Sequence, residues 1–193
     1  MLDAPKNIAI YELQRRMAVY EDESAYKELF FHLYAPLKRF AKGFLKLNEL
    51  SEETVSDVFM EIWRRRRELM KIEDLKVYMY ISVKNASLKR LQELNKNTIV
   101  SLDNFSADFT SAYPTPEEAI LTSELMQKIQ AAINSLPPRC KLVYKLAKED
   151  KLQYKEIAAI LNISVKTIDN QLSVALKKIA AEINFKLEKN KIA

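Results

Sequence analysis

Residues Tyr154 to Ile179 read YKEIAAILNISVKTIDNQLSVALKKI, and this stretch decides the fold. Two short helical patterns flank a break at Asn162-Ile163-Ser164. In the first, Ile157, Ala158, Ile160 and Leu161 form an apolar patch. In the second, Val165, Ile168, Leu172, Ala175 or Leu176, and Ile179 recur at steps of three and four, the spacing of one helix face. The opposite face carries Lys166, Thr167, Asn170, Gln171, Ser173 and Lys177. Asn162 suits the turn because asparagine tolerates a left-handed backbone. Ser164 is placed to cap the second helix. The outline is that of a helix-turn-helix, a motif whose second helix enters the major groove of DNA. A plain helical hairpin with one apolar and one polar face gives a similar pattern. The exposed amides, hydroxyls and lysines are the groups that reach base edges and phosphates.

The rest of the chain is consistent with an all-α fold. It has 193 residues, 48% of them apolar, enough for one large domain or two small ones. Gly43 is the only glycine, there are six prolines, and no alternating apolar-polar run suggests a strand. Net charge is +5, which permits a nucleic-acid partner without requiring one. The charge is uneven: residues 1–91 carry 17 basic and 14 acidic side chains, 92–115 carry 1 and 3, and 116–193 carry 13 and 9. Cys140 is the only cysteine, so no intrachain disulfide forms, and it reads as a small packing residue of a cytoplasmic protein. His32 is the only histidine, so no metal site is expected, and no cofactor motif is present. Neither a signal peptide nor a membrane span is legible, so no direct membrane insertion is expected.

Ahead of the helix-turn-helix the apolar spacing predicts further helices. A short one covers about Ala9 to Val19. A second starts with Ser24 as its cap and carries Tyr26, Leu29, Phe30, Leu33, Tyr34, Leu37, Phe40 and Phe44, with Pro36 expected to kink or restart it. A third is capped by Ser51, with Val55, Val58, Phe59, Ile62 and Trp63 as its stripe and Arg64 to Arg67 at its end. That basic run suits a solvated helix C-terminus. A fourth covers about Glu73 to Leu94, where Tyr78, Tyr80, Lys84, Asn85, Lys89 and Arg90 mix rings and cations. Single-stranded nucleic acid is bound by such mixtures, although buried tyrosines also serve simply as core. Residues 95–114 lose all helical period and read as a linker between domains 8–94 and 115–190. Thr115-Pro116-Glu117-Glu118 reads as a capping box opening a helix to about Asn134, and Pro137-Pro138 ends that helix and starts another.

Three blocks in this order resemble the bacterial sigma factors of RNA polymerase, in particular the small two-domain extracytoplasmic-function (ECF) group. SEETVSDVFMEIWRRR, residues 51–66, is similar to the helix by which sigma domain 2 grips the polymerase clamp. VYMYISVKNASLKRL, residues 77–91, is similar to the segment that melts and reads the minus-ten element. Residues 136–179 are similar to domain 4, which reads the minus-thirty-five element. The resemblance implies two small helical domains, core RNA polymerase and promoter DNA as partners, an anti-sigma factor as a further partner, and no enzymatic activity. By position it implies polymerase-binding roles for Asp57, Phe59, Ile62 and Trp63. It implies DNA contacts at Lys84, Asn85, Lys89, Ser164, Lys166, Thr167, Asn170, Gln171 and Lys177. The loop at Leu69 to Ile72 falls where the family captures a flipped base, and the acidic linker falls where the family threads the RNA exit path.

The chain departs from the family where Asn162 replaces a frequent glycine, and where Asp169 and Val174 stand at positions often basic. An acid facing DNA opposes phosphate attraction. Two other classes fit parts of the chain: a dimeric regulator switched by an N-terminal helical domain, and a recombinase. Residues 51–91 suit neither, and no nucleophile partners the arginine run.

Overall fold

The computed structural model describes residues 4–94 and 123–189, with side chains over 9–94 and 127–181. The described residues form helices and no strand, and the chain divides into two units, Met1–Val100 and Ser101–Ala193. The expected linker 95–114, the capping box Thr115–Glu118 and the apolar positions Ile120 and Leu121 lie outside the described residues. So do the chain ends.

Unit 1 contains α1 (Ala4–Tyr20), α2 (Glu23–Leu45), α3 (Asn48–Arg64), a short 3-10 helix (Arg66–Lys71) and α4 (Leu75–Leu94). α2 is the centre: it packs on α1, α3 and α4, while α1 also lies along the 3-10 helix. Asp22, not Ser24, caps α2; its Oδ1 accepts from the backbone N–H groups of Ser24 (2.8 Å) and Ala25 (3.2 Å). Arg16 Nη2 and Nε hold the same carboxylate, with the closer contact at 2.7 Å. α2 runs unbroken through Pro36. A proline inside a helix costs about 3 kcal/mol. Burial of Leu29, Leu33, Leu37 and Phe40 offsets this, at about 1.5–3 kcal/mol for each large apolar side chain.

α3 starts before its expected cap. Leu47 precedes the first turn, and Ser51 is a buried helical residue whose hydroxyl donates to the Leu47 carbonyl at 2.6 Å. Serine bonded back to the residue four earlier is spent inside the helix and caps nothing. Asp74 opens α4, its Oδ1 accepting from Val77 N–H at 3.0 Å. The aromatic core of unit 1 links Phe40 to Phe44 and Tyr80, at 5.2 Å in each case, and Phe59 to Phe30 at 4.9 Å.

Unit 2 contains α5 (Ser123–Asn134), α6 (Pro138–Lys148), α7 (Tyr154–Leu161) and α8 (Val165–Lys189). Ala132, Ile133, Leu136, Cys140, Ala175 and Ile179 make a core shared by α5, α6 and α8. α7 packs on α8, and Ile157, Ile160, Leu161, Ile168 and Leu172 are all buried. Ala175 takes the inward position left open between it and Leu176, which is 47% exposed. Val165, expected in the apolar stripe, is 43% exposed because it opens α8 beyond the reach of the core.

Candidate nucleic-acid interface

The α7–α8 corner is built locally. Glu156 accepts from the Gln153 backbone N–H, closing the start of α7. At its end Asn162 takes φ 56°, ψ 50°, and its N–H returns to the Ala158 carbonyl. Ile163 N–H bonds the same carbonyl at 3.1 Å. This is the left-handed cap that lets a short helix stop without glycine. Ser164 Oγ then accepts from Thr167 N–H at 3.0 Å, starting α8 as its cap.

The side chains expected to face DNA divide four ways. Asn170 and Lys177 are exposed. Ser164 and Thr167 are tied to each other through their hydroxyls at 2.8 Å, so they face outward already engaged in the cap. Lys166 is exposed, and its ammonium lies 3.4 Å from Asp169 one turn on. Gln171 is half-buried: its Oε1 lies 2.7 Å from the Cys140 thiol, which donates to it. Burial raises the Cys140 pKa, keeping it a thiol and thus a donor. Gln171 therefore anchors α8 to α6 with its carbonyl turned inward, leaving Asn170 as the exposed amide at the start of the helix.

Unit 1 carries a second polar surface around α3, the 3-10 helix and α4. Asp57 is exposed, and both Asp57 and Glu53 bind Arg90 at 2.6 Å, joining α3 to α4. Phe59 (1% exposed) and Ile62 (3%) were expected to lie at or support a partner-facing surface. They are core residues, because that edge of α3 packs into α2 and the 3-10 segment; they support the surface from beneath. Trp63 is half-buried beside the Tyr26 ring at 5.1 Å, with the Arg66 guanidinium over its face at 4.8 Å. Met60, 60% exposed on the same helix, is a surface residue that the apolar spacing did not single out.

The arginine run is not a loose helix end. Arg64 pairs with Glu61 and Arg65 with Glu68, while Arg66 and Arg67 both reach Glu21 at 2.6 Å. Beside it Ile62, Arg65, Leu69, Lys71, Ile72 and Tyr78, with Glu61 and Glu68, line a cleft of about 120 Å³. Tyr78 is half-buried at this cleft, whereas Tyr80 is fully buried. Further along α4, Lys84 is half-buried and desolvation lowers its pKa. Asn85 is exposed, and Lys89 is exposed with Glu93 at 3.9 Å. An aromatic edge, an apolar floor and flanking cations are groups able to hold an unpaired base and its phosphates.

A family model matches the second unit, and curated proteins match part of the chain. Residues 126–179 fit the family described as Sigma-70, region 4. The chain is 34% identical over 68 residues to the RNA polymerase sigma factor FliA of Escherichia coli K12, covering 35% of this chain and 28% of that protein. It is 33% identical over 69 residues to FliA of Yersinia enterocolitica, covering 36% and 30%, and 32% identical over 68 residues to FliA of Salmonella typhimurium, covering 35% and 28%. The match thus spans under a third of the length of these curated relatives. Among the described residues no helix is long and apolar enough to cross a membrane. The helix-turn-helix of unit 2, with its capped corner, buried seam and exposed polar face, lies within the residues that match Sigma-70, region 4.

Proposed function

We propose that the whole chain is a sigma factor of the ECF group, acting as a specificity subunit and not as an enzyme. The observation that carries this reading is the region 4 helix-turn-helix lying downstream of a separate helical unit with its own polar surface. The FliA relatives belong to a different sigma group, so the ECF assignment rests on the resemblance of residues 51–66 and 77–91.

In this reading residues 8–94 act as domain 2 and 115–190 as domain 4. α3 docks on core RNA polymerase through Asp57, Met60 and Trp63, with Phe59 and Ile62 fixing the helix from below. The 66–72 turn and α4 hold unpaired minus-ten bases, with Tyr78 in the cleft and Lys84, Asn85 and Lys89 along the strand. Unit 2 reads the minus-thirty-five duplex through Lys166, Asn170 and Lys177, with Ser164 and Thr167 at the helix start. Gln171 sets the depth of α8. An anti-sigma factor covering α3 or the helix-turn-helix would hold the protein inactive in the cytoplasm.

Each unit carries only a small positive excess, so free DNA affinity is weak and falls with salt. Tethering both units to one polymerase raises the effective concentration of each for its element. Reconstitution with bacterial core polymerase and a promoter library tests the reading. A stoichiometric complex that initiates transcription is expected. Trp63→Ala should abolish the complex, and Asn170→Ala should keep it while altering promoter choice. A chain that forms no complex and alone footprints a symmetric duplex site is instead a dimeric regulator.

A further inference from the structure

α1 takes no part in the function proposed above, yet it holds the 66–72 turn from far away in the sequence. Gln14 on α1 is a polar side chain only 1% exposed. Burying an amide is costly unless its hydrogen bonds are made. Gln14 Nε2 donates to the Leu69 carbonyl at 2.6 Å and to the Ile72 carbonyl at 2.8 Å, which uses both amide hydrogens. The Leu69 carbonyl also accepts from Ile72 N–H at 2.9 Å, so one oxygen both closes the turn and receives the clamp. At the far end of α1, Glu21 takes a left-handed φ of 50° and its two carboxylate oxygens hold Arg66 and Arg67.

α1 therefore grips the turn at both ends, Arg66 and Arg67 at its start and Leu69 and Ile72 at its finish. The 120 Å³ cleft is lined in part by Leu69 and Ile72, whose carbonyls the clamp holds, and by Tyr78. A short 3-10 helix has poor hydrogen-bond geometry of its own. Its shape here depends on bonds borrowed from α1. An apolar residue at position 14 would serve packing alone; the amide serves the two carbonyls.

We infer that Gln14 is a positioning residue for an unpaired nucleobase: it keeps the cleft preformed and touches no nucleic acid itself. The ligand class rests on the proposed function; the clamp does not. Without the amide the turn samples other shapes, and apparent affinity falls in proportion to the competent fraction.

The test uses the full chain with Gln14→Leu, which fills the volume but donates nothing. Hydrogen exchange across amides 66–72 is measured on the free protein. Binding of a fluorescent single-stranded minus-ten oligonucleotide is measured on its complex with core polymerase. Faster exchange confined to 66–72, unchanged core binding and about tenfold weaker oligonucleotide binding are expected, as for a competent fraction cut to about a tenth. Unchanged exchange refutes the clamp. Faster exchange with unchanged oligonucleotide affinity refutes the positioning role. If the wild-type complex binds no oligonucleotide, the proposed function fails and the ligand falls with it, while exchange still decides the clamp. Should Gln14→Leu fail to fold, Glu21→Gln takes its place: faster exchange at 66–68 and weaker oligonucleotide binding support the inference, and no change in either overturns it.

Discussion

The α7–α8 corner and the 66–72 turn are the two surfaces proposed to meet nucleic acid, but they are held in different ways. At the corner the turn and cap bonds are short in sequence: Glu156 to Gln153, Asn162 to Ala158, Thr167 to Ser164, Lys166 to Asp169; only the Cys140–Gln171 anchor reaches further. At the turn, local bonds such as Ile72 N–H to the Leu69 carbonyl are joined by bonds from Gln14 and Glu21, 45 to 58 residues away. A locally held element is specified by its own sequence, whereas a remotely held one takes its shape from the packing of a whole unit.

The largest way to break this contrast is to remove the packing under the turn. Phe59 is 1% exposed, with Tyr26, Phe30 and Tyr34 around its ring. Phe59→Ala should cost about 3–5 kcal/mol of unit 1 stability, as deletion of a buried ring does. Trp63 is the only tryptophan, so urea unfolding followed by its fluorescence reads unit 1. A loss below about 1 kcal/mol would show that α3 does not depend on this cluster.

A smaller effect is expected at the corner. Ser164→Ala removes the acceptor for Thr167 N–H and should cost about 1 kcal/mol in thermal melts followed by circular dichroism. Ser164→Asp should restore most of it, since aspartate caps as well as serine.

The same contrast explains what the sequence disclosed. Asn162 and Ser164 were legible as turn and cap because their partners are neighbours. The buried face of α8 followed from spacing alone, except at Val165, where an end residue outruns the core. Ser24 and Ser51 misled because several polar residues stood near each helix start: Asp22 caps α2, and Ser51 lies inside α3, bonded back to Leu47. The burial of Phe59 and Ile62 was invisible, since a stripe does not say whether its far edge meets this chain or a partner. Gln14 and Glu21 left no sequence signal, because only the fold brings them to the turn.

Acid should sharpen the remote side of the contrast. Hydrogen bonds from Arg66 and then Arg67 hold the Glu21 carboxyl below its ordinary pKa. A depressed carboxylate contributes stability that is fully present above the ordinary value and is lost as pH falls through the lowered one. Turn order should therefore fall only once the pH drops below the ordinary carboxylate range, read as a change in Trp63 fluorescence through the Arg66 stack on its ring. Glu21→Gln should flatten that part of the acid profile. An identical profile in wild type and variant would assign the acid response to other carboxylates, Asp22 first among them.

The smallest change tests the local side. Lys166 and Asp169 are both substantially exposed, so their pair should be worth no more than about 0.5 kcal/mol, and Asp169→Asn should leave melting nearly unchanged. Its effect belongs on DNA. Freed of its neighbour, Lys166 can neutralise a phosphate, and each further phosphate neutralised steepens the dependence of log K on log salt by about 0.9. A titration of the polymerase complex against minus-thirty-five duplex at several salt concentrations measures that slope. An unchanged slope would mean that Lys166 does not reach the backbone in either protein, and that Asp169 limits upstream binding in no measurable way. A steeper slope would mean that a locally held element can be retuned by one neighbouring charge, which the remotely clamped turn of unit 1 does not allow.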